Sequence, residues 1–103
     1  MLARQYRLPI ERTFTRRGRT IHNKSVEVKI FPVEFPYTRF NVVIGRSVAK
    51  RAVERNRLKR MVWSVIQARK KDFPLHDYLF IIRPEIKSKS FDDLMKEFSL
   101  LFK

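Results

Sequence analysis

Cysteine is absent from the 103 residues, which excludes disulfides, thiolate metal sites and a cysteine nucleophile. Glycine is scarce. Only Gly18 and Gly45 occur, so no glycine-rich loop exists whose backbone amides could cradle nucleotide phosphates, and nucleotide hydrolysis is excluded with it. No apolar run approaches the roughly 18 residues that suggest a bilayer span, and neither a signal-peptide core nor a lipidation motif is visible. A cytoplasmic setting with no membrane partner is the expectation. Histidine is limited to His22, in an expected turn, and His76, in an expected loop. The adjacent acids Asp92 and Asp93 would point about 100° apart on a helix, a poor arrangement for two ligands on one ion. Hydrolysis by the protein itself needs a carboxylate cage or a histidine acid–base pair. With neither in view, no catalytic residue and no protein-held metal are expected.

Acidic residues are the last shortage, 10 against 24 lysines and arginines, for a formal net charge of +14 and a pI near 11.0. A charge of that size on a small folded chain repels itself until a polyanion binds, and nucleic acid is the first candidate. The chain is not disordered: 44% of it is hydrophobic and 13% aromatic, enough material for one core at a length that suits one domain, residues 1–103.

Positive charge is densest from Arg46 to Lys71, RSVAKRAVERNRLKRMVWSVIQARKK. Leu58, Met61, Val62, Val65 and Ile66 repeat there at the spacing of a helix that buries one stripe. A helix over about Ala49–Arg69 would be roughly 30 Å long, with its second half anchored in the core and its first half projecting charge. Arg51, Arg55 and Lys59 share a row, Asn56 and Arg60 the neighbouring one, and Arg57 lies toward the opposite flank. Glu54 can pair with Arg51 or Arg57 at helical spacing but cannot neutralise the run. Guanidinium suits bidentate phosphate contact and stacking. Asn56, a poor helix former, brings an amide able to contact a base edge or a 2′-hydroxyl.

Pro9 suits a first helical turn and Gly18 a C-terminal cap, so a short helix is expected over about Pro9–Arg16, with Ile10 and Phe14 on one face. Residues Gly18–Lys24 read as a turn. Val26, Val28 and Ile30 alternate with polar residues as in a half-buried strand. Pro32–Thr38 is expected to connect an antiparallel pair whose second member, Arg39–Gly45, takes a central position because both its faces are apolar. Tyr78–Ile82 is a buried strand, Glu85–Lys89 a polar loop, and Ser90 an N-cap for a closing helix with Phe91, Leu94, Met95, Phe98, Leu101 and Phe102 as its stripe. The order is α-β-β-α-β-α, an α+β two-layer sandwich with a mixed sheet, one face of it left partly open. Arg46, Lys50, Arg51, Arg55, Arg57, Lys59 and Arg60 could neutralise several phosphates, while Phe14 and Lys29 on the open face could hold an extended single strand.

The run RSVAKRAVERNRLKR resembles the arginine-rich signature of the protein component of bacterial ribonuclease P. The similarity covers nearly the whole chain: FTRRGR, the strand from Lys24 to Phe31, RFNVVIGRSVAK, RNRLKR at Arg55–Arg60, DYLFIIRP, and a closing helix introduced by SF. The resemblance implies a cytoplasmic ribonucleoprotein in which a large RNA, using Mg2+, removes the 5′ leader from precursor tRNA. The protein, expected to be monomeric, binds the leader in a central cleft and brings the signature helix against the catalytic RNA. It also implies a left-handed βαβ crossover.

Carried over by position, Arg55, Asn56, Arg57, Lys59 and Arg60 become RNA contacts, with Arg46, Lys50 and Arg51 leading into them, and Phe14 becomes a cleft aromatic. This chain departs from the family at three places. The second cleft aromatic of the first helix falls on Ile10 or Glu11, the cleft tyrosine of the first strand is Lys29, and a basic position after RNRLKR is Trp63. Two other readings use the same charge: a structural RNA-binding protein of ribosomal type, and a stand-alone nuclease dependent on His22 or Asp92.

Overall fold

The computed structural model describes residues 4–10 and 16–101. Four strands, β1 (Arg19–His22), β2 (Val26–Phe31), β3 (Arg39–Val43) and β4 (Asp77–Ile82), and two helices, α1 (Ala52–Arg69) and α2 (Phe91–Leu101), follow in the order β1-β2-β3-α1-β4-α2. The α+β class and the mixed sheet expected from the sequence are both present. Most of the first helix expected over Pro9–Arg16, with Phe14, falls on residues 11–15, outside the described ones.

The sheet order is β1-β2-β4-β3. β2 pairs antiparallel with β1 and β4, and β3 runs parallel to β4. The expected hairpin between β2 and β3 is therefore not formed, and β3 is an edge strand rather than a central one. Competition for burial explains the exchange. Every residue of β4 is buried except half-buried Ile81, so β4 takes the inner slot, whereas β3 carries Arg39 and Asn41. Pro32–Thr38 instead carries the chain past that slot to the far edge. Parallel neighbours need a crossover, and α1 supplies it.

The edge of β3 is covered. Arg7 bridges to Phe40, the Leu8 amide donates to the Phe40 carbonyl (2.8 Å), and the Asn41 side chain donates to the Leu8 carbonyl (2.7 Å). At the opposite edge, β1 occupies the stretch expected as a turn. Its four residues are exposed except half-buried Ile21, too short and too polar for a periodicity to register. Gly18 does not have the positive φ of the expected helix cap. Its lack of a side chain serves close approach, because a Cβ there would strike the Ile30 carbonyl oxygen.

One face of the sheet carries the main core: Val26, Val28, Ile30, Phe40, Val42, Tyr78, Phe80 and Ile82 pack against Leu58, Val62, Trp63, Val65 and Ile66 of α1 and Leu94 and Phe98 of α2. Phe40 stacks on Tyr78 (5.5 Å, 14°) and Phe80 on Phe98 (5.5 Å, 5°), arrangements that add about 0.5–1.5 kcal/mol each beyond area burial. The stretch read as a polar loop holds a short helical turn, Pro84–Ser88, which buries Ile86 in this core.

Ser90 caps α2 as expected. Its hydroxyl accepts from the Asp93 amide (3.1 Å), and its amide donates to the Asp93 carboxylate (3.0 Å), a capping box with aspartate in the acidic place. These bonds hold the Asp93 carboxyl below its ordinary value. Phe91, expected in the buried stripe, is instead exposed.

The second face carries a smaller cluster of Leu8, Phe31 and Leu79, flanked by partly buried Ile10, Val43 and Ile81. At its base Asp77, fully buried, accepts from Arg39 (3.0 Å) and Arg16 (2.9 Å), while Glu34 takes the other side of Arg39 (2.7 Å). The bond to Asp77 raises Arg39 above its already high ordinary value, against the opposing effect of burial. Removing one partner of such a buried pair leaves a charge uncompensated. Asp77→Asn is expected to lower the unfolding free energy by about 3 kcal/mol, measured by urea denaturation.

Burial pushes the Tyr78 phenol up to about 12 from 10.0, and its hydroxyl donates to the Pro74 carbonyl (2.6 Å). The native state thus holds this proton more tightly than the unfolded chain. The resulting stability is complete below pH 10 and is lost as pH rises toward about 12. Against Tyr78→Phe, the wild type is expected to be more stable by about 1 kcal/mol near neutrality, an advantage that shrinks as urea midpoints are followed upward through that window.

Candidate nucleic-acid interface

The approach to α1 is anchored before the helix begins. Val48 and Ala49, each 2% exposed, are buried in the core as part of the preceding loop, where the Val48 amide donates to the Gly45 carbonyl (3.1 Å). α1 consequently starts at Ala52 rather than near Ala49. Arg51 is its N-cap in an extended conformation, without a side-chain cap bond. The carbonyls of Ala49 and Lys50 fall outside the helical ladder. Arg55 serves them, its Nη1 donating to Ala49 (3.0 Å) and Lys50 (2.7 Å). Half-buried Arg55 is therefore a brace that shapes the basic loop, a role its position in the signature did not disclose.

The other cations of the run face outward. Arg46, Lys50, Arg51, Asn56, Arg57 and Arg60 are exposed and Lys59 is half-buried. Glu54 forms no ion pair with Arg51 or Arg57 among the described residues, and the side chains of Asn56, Arg57, Lys59 and Arg60 have no intramolecular partner there.

Two concavities gather most of these groups. Arg46, Lys50 and Arg51 share one of about 400 Å³ with Ser47, Glu54 and Lys87. Asn56, Lys59 and Arg60 share another of about 450 Å³ with Trp63, Arg7 and Asn41. Arg57 lines neither. Lys87 and Arg7 were missed by sequence reasoning, since nothing in the local pattern of either links it to α1. Arg7 arrives by pairing with the edge of β3, and Lys87 by the turn that buries Ile86. Trp63, at the departing basic position, is 7% exposed and packs in the core.

Lys29 is exposed on the face away from the helices. The pairing registers set Thr20, Lys29, Leu79 and Asn41 in one row across the sheet. With strands roughly 5 Å apart, Lys29 stands about 10 Å from Asn41, but Leu79 between them is buried with Leu8 and Phe31, so the covered part of this face separates Lys29 from the second concavity. Of the two residues expected in a leader cleft, Lys29 is exposed on the second face of the sheet and does not line the α1 groove, and Phe14 lies outside the described residues.

A family model described as Ribonuclease P matches residues 2–103. The chain belongs to the ribonuclease P protein family. It is 42% identical over 65 residues to the ribonuclease P protein component of Synechococcus sp. (strain RCC307), covering 61% of this chain and 51% of that protein. With the component from Lactobacillus helveticus (strain DPC 4571) it shares 32% identity over 88 residues, covering 81% and 72% of the two chains. The match thus spans about half the length of the first relative and nearly three quarters of the second. Among solved structures, the RNase P protein from Thermotoga maritima superposes with a TM-score of 0.81 at 25% identity, covering 94% of each chain. A Staphylococcus aureus RNase P protein mutant with defective mRNA degradation activity superposes with a TM-score of 0.83 at 19% identity, covering 94% of this chain and 85% of that one. The latter is a likeness of fold.

No helix of the described residues is long and apolar enough to cross a membrane. Among them no three His, Cys, Asp or Glu side chains gather as a metal site. Asp77 is occupied by two arginines and Asp93 by the cap of α2, so the described carboxylates do not fit the magnesium that a ribonuclease P family member implies. His22, His76 and Asp92 lie on β1, on the loop before β4 and on the first turn of α2, apart from the basic groove.

If Arg55 braces the loop, truncating it costs stability as well as charge. Arg55→Ala is expected to lose about 1–2 kcal/mol in urea denaturation, and Arg57→Ala, with no carbonyl to serve, less than about 0.5 kcal/mol.

Proposed function

We propose that the chain is the RNA-binding protein subunit of ribonuclease P, a single domain acting as a cytoplasmic monomer beside a catalytic RNA. It assists that RNA in the endonucleolytic removal of the 5′ leader from precursor tRNA. The observation that carries the reading is the flank of α1 on which, among the described residues, Asn56, Lys59 and Arg60 have no intramolecular side-chain partner and line one concavity. Unpaired cations held on a rigid, core-anchored helix suit a phosphate backbone, because the protein loses little freedom when the RNA arrives.

Family membership supports the assignment to ribonuclease P rather than to an RNA-binding protein of ribosomal type. The hydrolytic chemistry belongs to the RNA subunit, whose phosphates supply the hard oxygen ligands that Mg2+ prefers. In this arrangement Arg46, Lys50, Arg51, Arg57, Lys59 and Arg60 neutralise phosphates, Asn56 contacts a base edge or 2′-hydroxyl, and Arg55 holds the loop that presents them. Lys29 and Phe14 are the residues assigned to the leader.

Reconstitution with the partner RNA tests the reading. The protein is expected to improve cleavage of precursor tRNA at low magnesium and to favour substrates with a leader over mature tRNA. Equal binding of both would favour the structural alternative, and cleavage by the protein alone would favour a nuclease. If about five phosphates of a single strand are contacted, log K falls against log salt with a slope of roughly −3.5. Arg57→Ala is expected to weaken binding and flatten that slope by about 0.7.

A further inference from the structure

Asn56, Lys59, Arg60 and Trp63 occupy positions i, i+3, i+4 and i+7 of α1, and so form one continuous stripe. It runs beside the buried stripe of Leu58, Val62, Val65 and Ile66. The facing wall is the covered edge of β3. There Asn41 is held at both ends of its amide, donating to the Leu8 carbonyl (2.7 Å) and accepting from the Val42 amide (2.8 Å), and Arg7 stands next to it. The space between the walls, about 450 Å³, lies within the range of roughly 300–1,000 Å³ typical of small-molecule sites.

Its lining is mixed in a specific way. Trp63 is embedded in the core with 7% of its surface left open, and it lines the groove. Asn56 offers an amide that donates and accepts, and Lys59 and Arg60 bring charge without a counterion among the described residues. An apolar plane, an amide and two cations within two helical turns match the parts of a nucleotide: a base with a hydrogen-bonding edge, flanked by phosphates. A duplex keeps its bases stacked and presents mainly backbone, so it could meet the cations but not fill the recess.

We propose that this groove takes one unstacked nucleotide of a single-stranded RNA. The base seats against Trp63 with its edge on the Asn56 amide, and the adjoining phosphates lie on Lys59 and Arg60. The proposal rests on the RNA-binding reading above and adds to it a base-sized site at the position where this chain carries tryptophan in place of a cation.

Trp63 is the only tryptophan in the sequence, so the emission of the intact protein reports on the groove. The full chain is titrated with a single-stranded RNA oligonucleotide and with a reduced abasic strand of equal length. Binding is followed independently by anisotropy of the end-labelled strands at several salt concentrations. The expected result is that both strands bind with similar salt slopes, while only the strand with bases changes Trp63 emission and shields it from acrylamide. Asn56→Ala, an exposed substitution, is expected to weaken the intact strand about fivefold, the loss of one hydrogen bond, and the abasic strand by less than about twofold. Equal emission changes with both strands, silence with both while both bind, or an equal loss of affinity in Asn56→Ala would overturn the base site and leave the RNA-binding reading standing. Failure of either strand to bind in a salt-dependent way overturns both.

Discussion

The insertion of β4 between β2 and β3 is the placement on which the other elements depend. A strand buried on both faces needs neighbours on both edges and layers above and below, and among the described residues β4 is the strand of that kind. Once β4 is inside and parallel to β3, the connection between them has to cross over the sheet. α1 is that connection. Leu58, Val62, Val65 and Ile66 seat it on the sheet, and the remaining flank is left alongside the edge of β3. The groove between helix and edge is thus a by-product of strand order, and the N-terminal segment that covers the edge completes it with Arg7.

Charge is divided between two regimes. At the base of the sheet, Arg16 and Arg39 are matched by Asp77 and Glu34, a neutral cluster that joins the start of β4, the start of β3 and the segment leading into β1. Along the first half of α1 and its approach, Arg46, Lys50, Arg51, Arg57, Lys59 and Arg60 form no ion pair among the described residues, whereas Arg69 at the far end of the helix pairs with Asp72 (3.5 Å). Part of the excess that gives the chain +14 therefore lies on this one surface. Arg55 lies between the two regimes, bonded to carbonyls rather than carboxylates. It keeps its charge within the basic face while holding the loop in shape.

Much of the fold was legible in local patterns. The alternation of Val26, Val28 and Ile30 reads directly as β2, the stripe from Leu58 to Ile66 as the anchored half of α1, and Ser90 with Asp93 as a helix start. These signals are contained within one element, where period and capping chemistry act over a few residues. The candidate site was legible in part, because Asn56, Lys59 and Arg60 share a flank of one helix. Arg7 and Lys87 were not, since they enter through contacts between parts of the chain far apart in sequence. β1 escaped notice because its pairing is made by backbone groups that carry no side-chain signature.

By itself the sequence determined the class of the fold, the helix that carries the charge, the polyanion-binding character of the surface and, through its signature, the family. The tertiary structure decided which strand lies inside, which arginine is a brace and which neighbours wall the groove. The physical reason is that periodicity reports how one element divides its own residues between core and water. The order of strands, by contrast, is settled when whole elements compete for the same buried slot, and only the folded chain records the outcome of that competition.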